Sequence, residues 1–469
     1  MTTSRPASVV DRAHRLTTAG LLMLVTFVAF ESMAVATAMP TAVAELDGLA
    51  WYGWPFSAFL VASVVGMVLG GDLDDRRGSQ AAVLVGVATF AAGLLAGGSS
   101  GSMAVFVAAR ALQGVGAGII AVSLYVVAGR AYPPGLRPRL FAAFSAAWVL
   151  PALLGPVLAG LITTHLGWRW VFLGMLPLIA LGLGLLLPAL RRFGPPAGVP
   201  APPSARRWWA LLAGAGVAAL QYAGQRLDLL ALGIAAAGAA VLVLGLRPLL
   251  PAGTARMRPG LPAVIGARGL LAGAFFGMDA LLPLALTELH GYSPTAAGVP
   301  LTAGALGWAV ASQVQGRMPH LARVVLLRLG FVLLALGLAG SALVAVPGIP
   351  GWPSYATWAV AGLGMGLGMP SLSVLLLGQS PEHRRGADSA AFQIADVTGS
   401  ALCVGIVGVL VAAAASGNVS LPTAVLVAIA VLVGLAGLGA GLAARAGAAG
   451  PGSPAAAPAA SGPAVTLSS

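Results

Sequence analysis

The chain has 469 residues, of which 58% are hydrophobic and 8% are charged, and its formal net charge is +12. Soluble domains carry about 25% charged residues because their surface faces water, so this composition excludes an ordinary soluble protein and indicates a surface that faces lipid. Binding of nucleic acid is excluded as well, since the basic residues are scattered between apolar segments. The single cysteine, Cys403, excludes a disulfide framework and a cysteine-based metal cluster.

Apolar segments of about 20 residues, the length that crosses a bilayer as a helix, recur along the whole chain. In chain order the sequence predicts fourteen spans, at residues 16–44, 51–72, 80–99, 102–129, 137–164, 167–190, 208–226, 228–249, 261–289, 294–316, 322–346, 352–379, 386–415 and 420–445. They form groups of six, two and six.

Arginine placement predicts the orientation of these spans. All 25 basic residues are arginine, and with the N-terminus inside, 22 of the 25 fall on the cytoplasmic side. Arg169 and Arg226 fall outside, and Arg110 lies within a span. Because short cytoplasmic loops of membrane proteins are rich in arginine, both termini are predicted to be cytoplasmic. A cleaved signal sequence ending near Ala36 is disfavoured, since the apolar stretch continues to Ala44.

The sequence therefore divides into two six-helix bundles, connected by two extra central helices. The predicted parts are a cytoplasmic N-terminus (1–15), a first bundle (16–190), a proline-rich cytoplasmic linker (191–207), the extra helices (208–249), a second bundle (250–445) and a disordered cytoplasmic tail (446–469). The two bundles show faint self-similarity, because Glu45-Leu46 recurs as Glu288-Leu289. Parallel repeats of this kind are typical of transporters.

The loop after the second span carries Gly71, Leu73, Asp75, Arg76 and Gly78. Their spacing resembles the cytoplasmic signature of the major facilitator superfamily, G-x-L-a-D-r-x-G-r-k, although Ser79 and Gln80 replace the usual basic pair. The resemblance implies a latch, formed by Gly71, Asp75, Arg76 and Gly78, that biases the equilibrium between two conformations. The alternative is a polar turn that only ends translocation.

Two further motifs lie within spans. Arg110-x-x-Gln113-Gly114 in the fourth span resembles the R-x-x-Q-G-x-G-x-G motif of proton-driven members, where the alternative role of the arginine is to pin two helices together. Gly155, Pro156 and Gly160 in the fifth span resemble the antiporter motif G-P-x-x-G-G, with Ala159 in place of one glycine. The antiporter resemblance implies export.

Carboxyl groups inside a membrane usually mark a transport path. Glu31 stands midway along the first span, in a stretch that resembles the first-span signature of fourteen-span drug:proton antiporters, with glutamate replacing aspartate. Arg110 lies at a depth that allows a pair with Glu31 or a bridging water. Asp279 is predicted nearer the outside, and Asp396 nearer the cytoplasm. These four residues are the predicted proton-coupling residues; interhelical hydrogen bonds by protonated carboxyls are the alternative.

The resemblance to the fourteen-span drug:proton antiporters implies an all-α integral membrane protein with the major facilitator fold. It implies export of small amphipathic, hydrophobic or cationic compounds in exchange for protons, by a monomer in the bacterial cytoplasmic membrane. The proton gradient supplies the energy, and no cofactor or metal is expected. A lipid or fatty-acyl exporter and a facilitator of another substrate remain open. Polar or aromatic candidates for the cavity wall are Gln113, Phe275, Phe276, Trp308, Gln313 and Gln393.

An enzyme is not predicted. The five histidines lie at span edges or in loops, so they form no cluster with aspartate within the membrane. ATP-driven pumping is excluded because the chain has no lysine and therefore no G-x-x-x-x-G-K-[ST] loop.

Overall fold

The computed structural model describes residue 11 and residues 14–133, 136–192, 206–224, 229–316, 321–381 and 385–448. Over these residues the protein is all-α. Most of the predicted N-terminus, linker and tail (1–15, 191–207 and 446–469) lies outside the described residues, as does the side chain of Asp75.

Fifteen α-helices occur in the described residues. They are α1 (Arg15–Glu45), α2 (Trp54–Arg77), α3 (Ser79–Gly98), α4 (Met103–Ala131), α5 (Arg137–His165), α6 (Arg169–Leu173), α7 (Met175–Leu190), α8 (Arg206–Gly224), α9 (Leu229–Leu246), α10 (Leu261–His290), α11 (Pro294–Gly316), α12 (Arg323–Ser341), α13 (Pro353–Gln379), α14 (Arg385–Ala415) and α15 (Leu421–Leu442).

Short α6 and long α7 are separated by Gly174 alone, so they form one broken segment and the described chain has fourteen long helical segments. Each overlaps one predicted span. Eleven of them, all except α5, α8 and α11, are long and apolar enough to cross a membrane. The chain is therefore a multi-pass membrane protein, while the count of fourteen spans stays a prediction.

Local sequence explains several helix ends. Gly78 alone separates α2 from α3, and its φ of 84° is a conformation that glycine adopts without strain. Ser102 caps α4 and Ser420 caps α15, each accepting a hydrogen bond from a backbone N–H three residues on. Gly291, with φ of 66°, ends α10 in the left-handed conformation.

The two halves of the molecule repeat one packing scheme. In the first half α4 packs between α2 and α3, while α1 packs on α5 and α7. In the second half α13 packs between α11 and α12, while α10 packs on α14 and α15. The similarity between Glu45 and Glu288 in the sequence therefore belongs to a repeat of the whole bundle.

Small residues make these helices approach closely. A Cβ placed on Gly114 or Gly118 of α4 would lie 2.2 Å or 2.1 Å from a backbone oxygen of α2. On α13, a Cβ on Gly362 or Gly366 would lie 1.9 Å or 2.4 Å from a backbone oxygen of α11. Spanning helices have no hydrophobic driving force for association in lipid, so this close packing supplies much of the attraction.

The halves contact each other along α5–α11 and along α2–α14. Between α5 and α11, a Cβ on Gly160 would lie 2.5 Å from the Cα of Thr295. Between α2 and α14, a Cβ on Gly53 would lie 2.7 Å from the Cα of Gly408. Both contacts lie at one end of the bundle, which we call the Glu45 end; the other, which holds Arg15 and Arg77, is the arginine-rich end.

The two extra helices lie against one of these seams. Helix α8 packs on α9 and also contacts both α2 and α14. Gln221 of α8 is 3% exposed at this seam, and neither polar atom of its side chain has a hydrogen-bond partner in the described structure. The α8–α9 pair thus covers the α2–α14 contact from outside.

Glycine packing on α13 can be tested with a matched pair of substitutions. Gly362→Ala should destabilise the protein by about 1–3 kcal/mol, because the new methyl group collides with the Gly304 carbonyl oxygen. Gly378→Ala on the same helix meets no atom within 4 Å and should be neutral or slightly stabilising. Thermal unfolding in detergent micelles measures both. Equal melting temperatures for the two variants would contradict the packing argument.

Candidate functional site

A buried ion pair joins the middle of α1 to α4. The guanidinium of Arg110 donates hydrogen bonds to Glu31 Oε1 and to Gln113 Oε1. Arg110 Nε also donates to the carbonyl oxygen of Pro55 at 3.3 Å. The side chains of Arg110 and Glu31 are 3% and 0% exposed. The predicted proximity of Glu31 and Arg110 is therefore realised as a direct contact.

This pair keeps unused hydrogen-bonding capacity. Glu31 Oε2 and Gln113 Nε2 are buried and have no hydrogen-bond partner in the described structure. Removing one partner of a buried charge pair destabilises the folded protein, because the other charge is left uncompensated. Glu31 Oε2 is thus a carboxylate oxygen that can take a proton without first breaking another hydrogen bond.

A cavity of about 270 Å³ lies between the two halves, beside this ion pair. Its wall is built by α1, α2, α4, α10 and α14, so both halves contribute. The polar and charged residues in the wall are Ser32, Ser63, Arg110, Asp279, Gln393, Asp396 and Ser400. Phe56, Phe59 and Phe276 supply aromatic surface. An apolar cavity with a few polar groups is typical of small-molecule sites.

The two other predicted carboxylates both line this cavity but differ in their partners. Asp396 on α14 accepts a hydrogen bond from Arg268 Nε of α10 at 2.7 Å. Asp279 on α10 has no ion-pair partner among the described residues. The cavity therefore contains one carboxylate with an ion-pair partner and one without such a partner among the described residues.

Arg268 was counted among the arginines on the cytoplasmic side, although it falls within the predicted span 261–289. It lies seven residues inside α10, about 10 Å from the helix start, with its guanidinium 4.7 Å from the centroid of the Phe392 ring. An arginine close to a helix end cannot be told from a loop arginine by counting, because its partner Asp396 is distant in sequence.

The predicted cavity residues fall into four groups. Phe276 and Gln393 line the cavity. Gln113 is fully buried and contacts Arg110. Phe275 and Trp308 form an aromatic cluster with ring centroids 5.7 Å apart. Gln313 is exposed on α11. Only the first group shares a surface with Asp279.

Sequence reasoning missed Phe56 and Phe59, which line the cavity from α2. They are three residues apart and so lie on one helix face. That spacing was visible, but it did not show which face of α2 turns inward.

Comparison with known proteins agrees with this architecture. The sequence profile described as Major Facilitator Superfamily matches residues 21–403. This chain belongs to the major facilitator superfamily. It is thereby a membrane transporter of small molecules and not an enzyme, as the sequence predicted.

Similar proteins within the superfamily have names that refer to drugs. A probable multidrug-efflux transporter of Mycobacterium tuberculosis is 30% identical over 418 residues, which cover 84% of this chain and 87% of that protein. Multidrug resistance protein 3 of Bacillus subtilis is 32% identical over 168 residues, which cover 36% of this chain and 33% of that protein.

Solved structures share the fold. A POT family transporter in complex with 5-aminolevulinic acid has a TM-score of 0.67 at 14% identity, covering 92% of this chain and 96% of that chain. A D-xylose–proton symporter has a TM-score of 0.63 at 18% identity, covering 91% and 95%. At these identities the likeness concerns the fold alone.

The superfamily loop motif lies at the end of α2. Gly78 makes the turn into α3, Arg76 is exposed, and a Cβ on Gly71 would meet no atom within 4 Å. Asp74, which the motif match passed over in favour of Asp75, is 2% exposed and accepts a hydrogen bond from Ser123 Oγ of α4 at 2.8 Å. A latch role for this motif stays a prediction.

The antiporter-like motif lies where the halves meet. Gly160 contacts the backbone at Thr295, and a Cβ on Gly298 of α11 would lie 2.8 Å from the Pro156 carbonyl oxygen. Thr164 and Thr295 hydroxyls are 3.2 Å apart. These residues lie at the α5–α11 contact, which would change if the two halves moved relative to each other. Their predicted role in antiport stays a prediction.

A double-mutant cycle can test the energetic link between Glu31 and Arg110. Arg110→Met leaves Glu31 without its counter-charge, and Glu31→Gln leaves Arg110 without its own, so each single variant should unfold more easily. The double variant should be more stable than the two single losses predict, with an interaction energy of about 1–3 kcal/mol. Unfolding in detergent micelles provides the values.

The partly exposed pair of Arg268 and Asp396, 15% and 18% exposed, is the control for this cycle. Solvent weakens such a pair, so Arg268→Met and Asp396→Asn should show a smaller interaction energy. Strictly additive losses at Glu31 and Arg110 would mean that the contact contributes nothing to stability.

Proposed function

We propose that this chain is a fourteen-span drug:proton antiporter that exports small amphipathic, often cationic, compounds by alternating access. The observation that carries the proposal is the position of the Glu31–Arg110 pair, since Arg110 belongs both to the pair and to the cavity wall. The names of the multidrug-efflux relatives support the substrate class. The proposed location is the bacterial cytoplasmic membrane, with both termini in the cytoplasm.

In the proposed cycle, the cavity receives substrate from the arginine-rich end. The contacts between halves at Gly53–Gly408 and Gly160–Thr295, and the hydrogen bond from the Tyr52 hydroxyl to the Ala280 carbonyl oxygen at 2.6 Å, support a closed Glu45 end. Opening of that end would expose the cavity to the other side. Protonation of Glu31 then weakens its attraction to Arg110, because a neutral carboxyl lacks the charge that the guanidinium needs.

Asp279 is the proposed recognition residue for a cationic substrate. Its carboxylate has no counter-ion among the described residues, and the Phe276 ring lines the same wall. A cation bound there gains charge attraction from the carboxylate and additional attraction from an aromatic face. Proton and substrate would therefore use acids in different halves of the molecule.

Proton exchange can be measured with purified protein in vesicles that contain a pH-sensitive dye. Adding ethidium, a cationic amphipath, should change the lumenal pH in vesicles with the wild-type protein. Glu31→Gln should abolish that change, because an amide cannot exchange a proton at neutral pH. Glu45→Gln is the matched control, since Glu45 ends the same helix and its side chain is 51% exposed; coupling should persist there.

An ethidium-dependent pH change of normal size in Glu31→Gln would remove this residue from the mechanism. Absence of any response to ethidium in the wild type, together with movement of a fluorescent fatty acid or phospholipid, would favour the lipid exporter.

Substrate recognition by Asp279 has a separate test. Asp279→Asn should weaken ethidium binding by about tenfold, the effect of losing about 1.4 kcal/mol of charge attraction. Binding of an uncharged amphipath of similar size should change little. Glu288→Gln, an exposed acid on the same helix, serves as the control. Equal losses for charged and uncharged ligands would show that Asp279→Asn deforms the cavity.

A further inference from the structure

The Phe59 side chain touches both the cavity and the buried ion pair. It is 8% exposed and forms part of the cavity wall. The Cζ atom of Arg110 lies 4.3 Å from the centroid of its ring. An aromatic face attracts a guanidinium because the ring quadrupole is negative above its centre.

The backbone of α2 passes close to α4 beside this ring and Arg110. A Cβ on Gly114 would lie 2.2 Å from the Phe59 carbonyl oxygen, so α2 and α4 are in direct contact one helical turn from Arg110. The carbonyl oxygen of Pro55, one turn earlier on α2, accepts a hydrogen bond from Arg110 Nε. The segment from Pro55 to Phe59 therefore forms a wall of the guanidinium site.

Arg110 has four contacts that can compensate its charge. One is the carboxylate of Glu31; the others are Gln113 Oε1, the Pro55 carbonyl oxygen and the Phe59 ring. If Glu31 takes a proton, its negative charge is lost and every remaining contact of Arg110 named here is with a neutral group. Burying a charge without compensation is costly, so these contacts determine how readily the pair can lose its negative partner.

We propose that Phe59 is a positioning residue that holds Arg110 in place while Glu31 is protonated, and that links substrate occupancy of the cavity to the proton site. This inference rests on the proposed proton exchange at Glu31. A substrate that packs on the cavity side of the ring shifts it relative to the guanidinium. The contact between Arg110 and the ring then weakens, so neutral groups compensate the guanidinium less well, and the ionised pair with Glu31 becomes favoured.

Other charged groups around the pair do not replace this role. From α1, Glu31 is the acid that contacts Arg110. From α10, Asp279 lines the cavity, and from α14, Asp396 lines it but is already paired with Arg268. On α2 the described acids Asp72 and Asp74 lie at the far end of the helix. The neutral contacts on α2 and α4 are thus the immediate support of the guanidinium.

Phe56 gives a matched comparison on the same helix. It also lines the cavity, but its ring packs against Tyr52 with centroids 5.8 Å apart. A substitution there removes a similar area of cavity wall without touching Arg110. The two phenylalanines therefore separate an effect on the cavity from an effect on the ion pair.

The test compares Phe59→Leu, Phe59→Tyr and Phe56→Leu in the ethidium vesicle assay over a range of pH. In Phe59→Leu the pH of half-maximal transport should move by about one unit to lower pH, because the unpaired guanidinium loses an attraction of about 1 kcal/mol. Phe59→Tyr keeps the aromatic face and should restore the profile. Phe56→Leu should weaken ethidium binding and leave the profile in place.

The same shift in Phe56→Leu and Phe59→Leu, or no rescue by Phe59→Tyr, would overturn the inference. Repeating the Phe59→Leu measurement in the Glu31→Gln variant separates failure of this inference from failure of the proposed function. If proton exchange occurs at Glu31, Phe59→Leu should have no further effect on the pH profile in that background, whereas a persisting shift would overturn the role of Phe59. Normal proton movement in Glu31→Gln alone would instead reject the function on which the inference rests.

Discussion

A guanidinium buried in the middle of a membrane protein must be compensated, and much of the first half is arranged around that requirement. Arg110 draws Glu31 from α1, Gln113 from its own helix and the Pro55 carbonyl oxygen from α2 toward one point. The glycines that follow it let α2 approach closely enough to take part. Close packing of α2 on α4 is therefore part of what compensates the charge of Arg110.

The second half repeats the packing but not the charge. Trp358 precedes Gly362 by four residues, as Arg110 precedes Gly114. Gly114 contacts the backbone of α2 and Gly362 contacts that of α11, in each case the second helix before its own. Where Arg110 meets Glu31, Trp358 stacks on Phe275 of α10 with centroids 4.7 Å apart. One half thus places an ionisable pair at this position and the other a rigid aromatic stack. The proposed proton step belongs to the half whose contact can change its charge.

Much of this architecture could be predicted from the sequence, because long apolar segments and arginine-bearing loops define helix bounds without knowledge of the partners. The depths of Glu31 and Arg110 were enough to predict that they could form a pair or share a bridging water, and the structure has the direct pair. Which face of a helix lines the cavity was harder to predict. In a membrane protein both lipid-facing and inward-facing surfaces are apolar, so Gln313 was placed in the cavity and Phe59 was overlooked. The partners of Arg268 and Asp74 were missed because Asp396 and Ser123 are distant in the chain.

The contacts at Gly53–Gly408 and Gly160–Thr295 join backbone to backbone, and among the described residues side-chain hydrogen bonds between the halves at that end include Tyr52–Ala280 and Thr164–Thr295. Surfaces of this kind gain dispersion energy when they meet and leave few polar groups unsatisfied when they part. At the glycines themselves, separation breaks packing contacts and no specific polar pair. In the proposed cycle these surfaces would meet and part without a slow step of unpairing, while even one added methyl group at these glycines would hold the two surfaces apart.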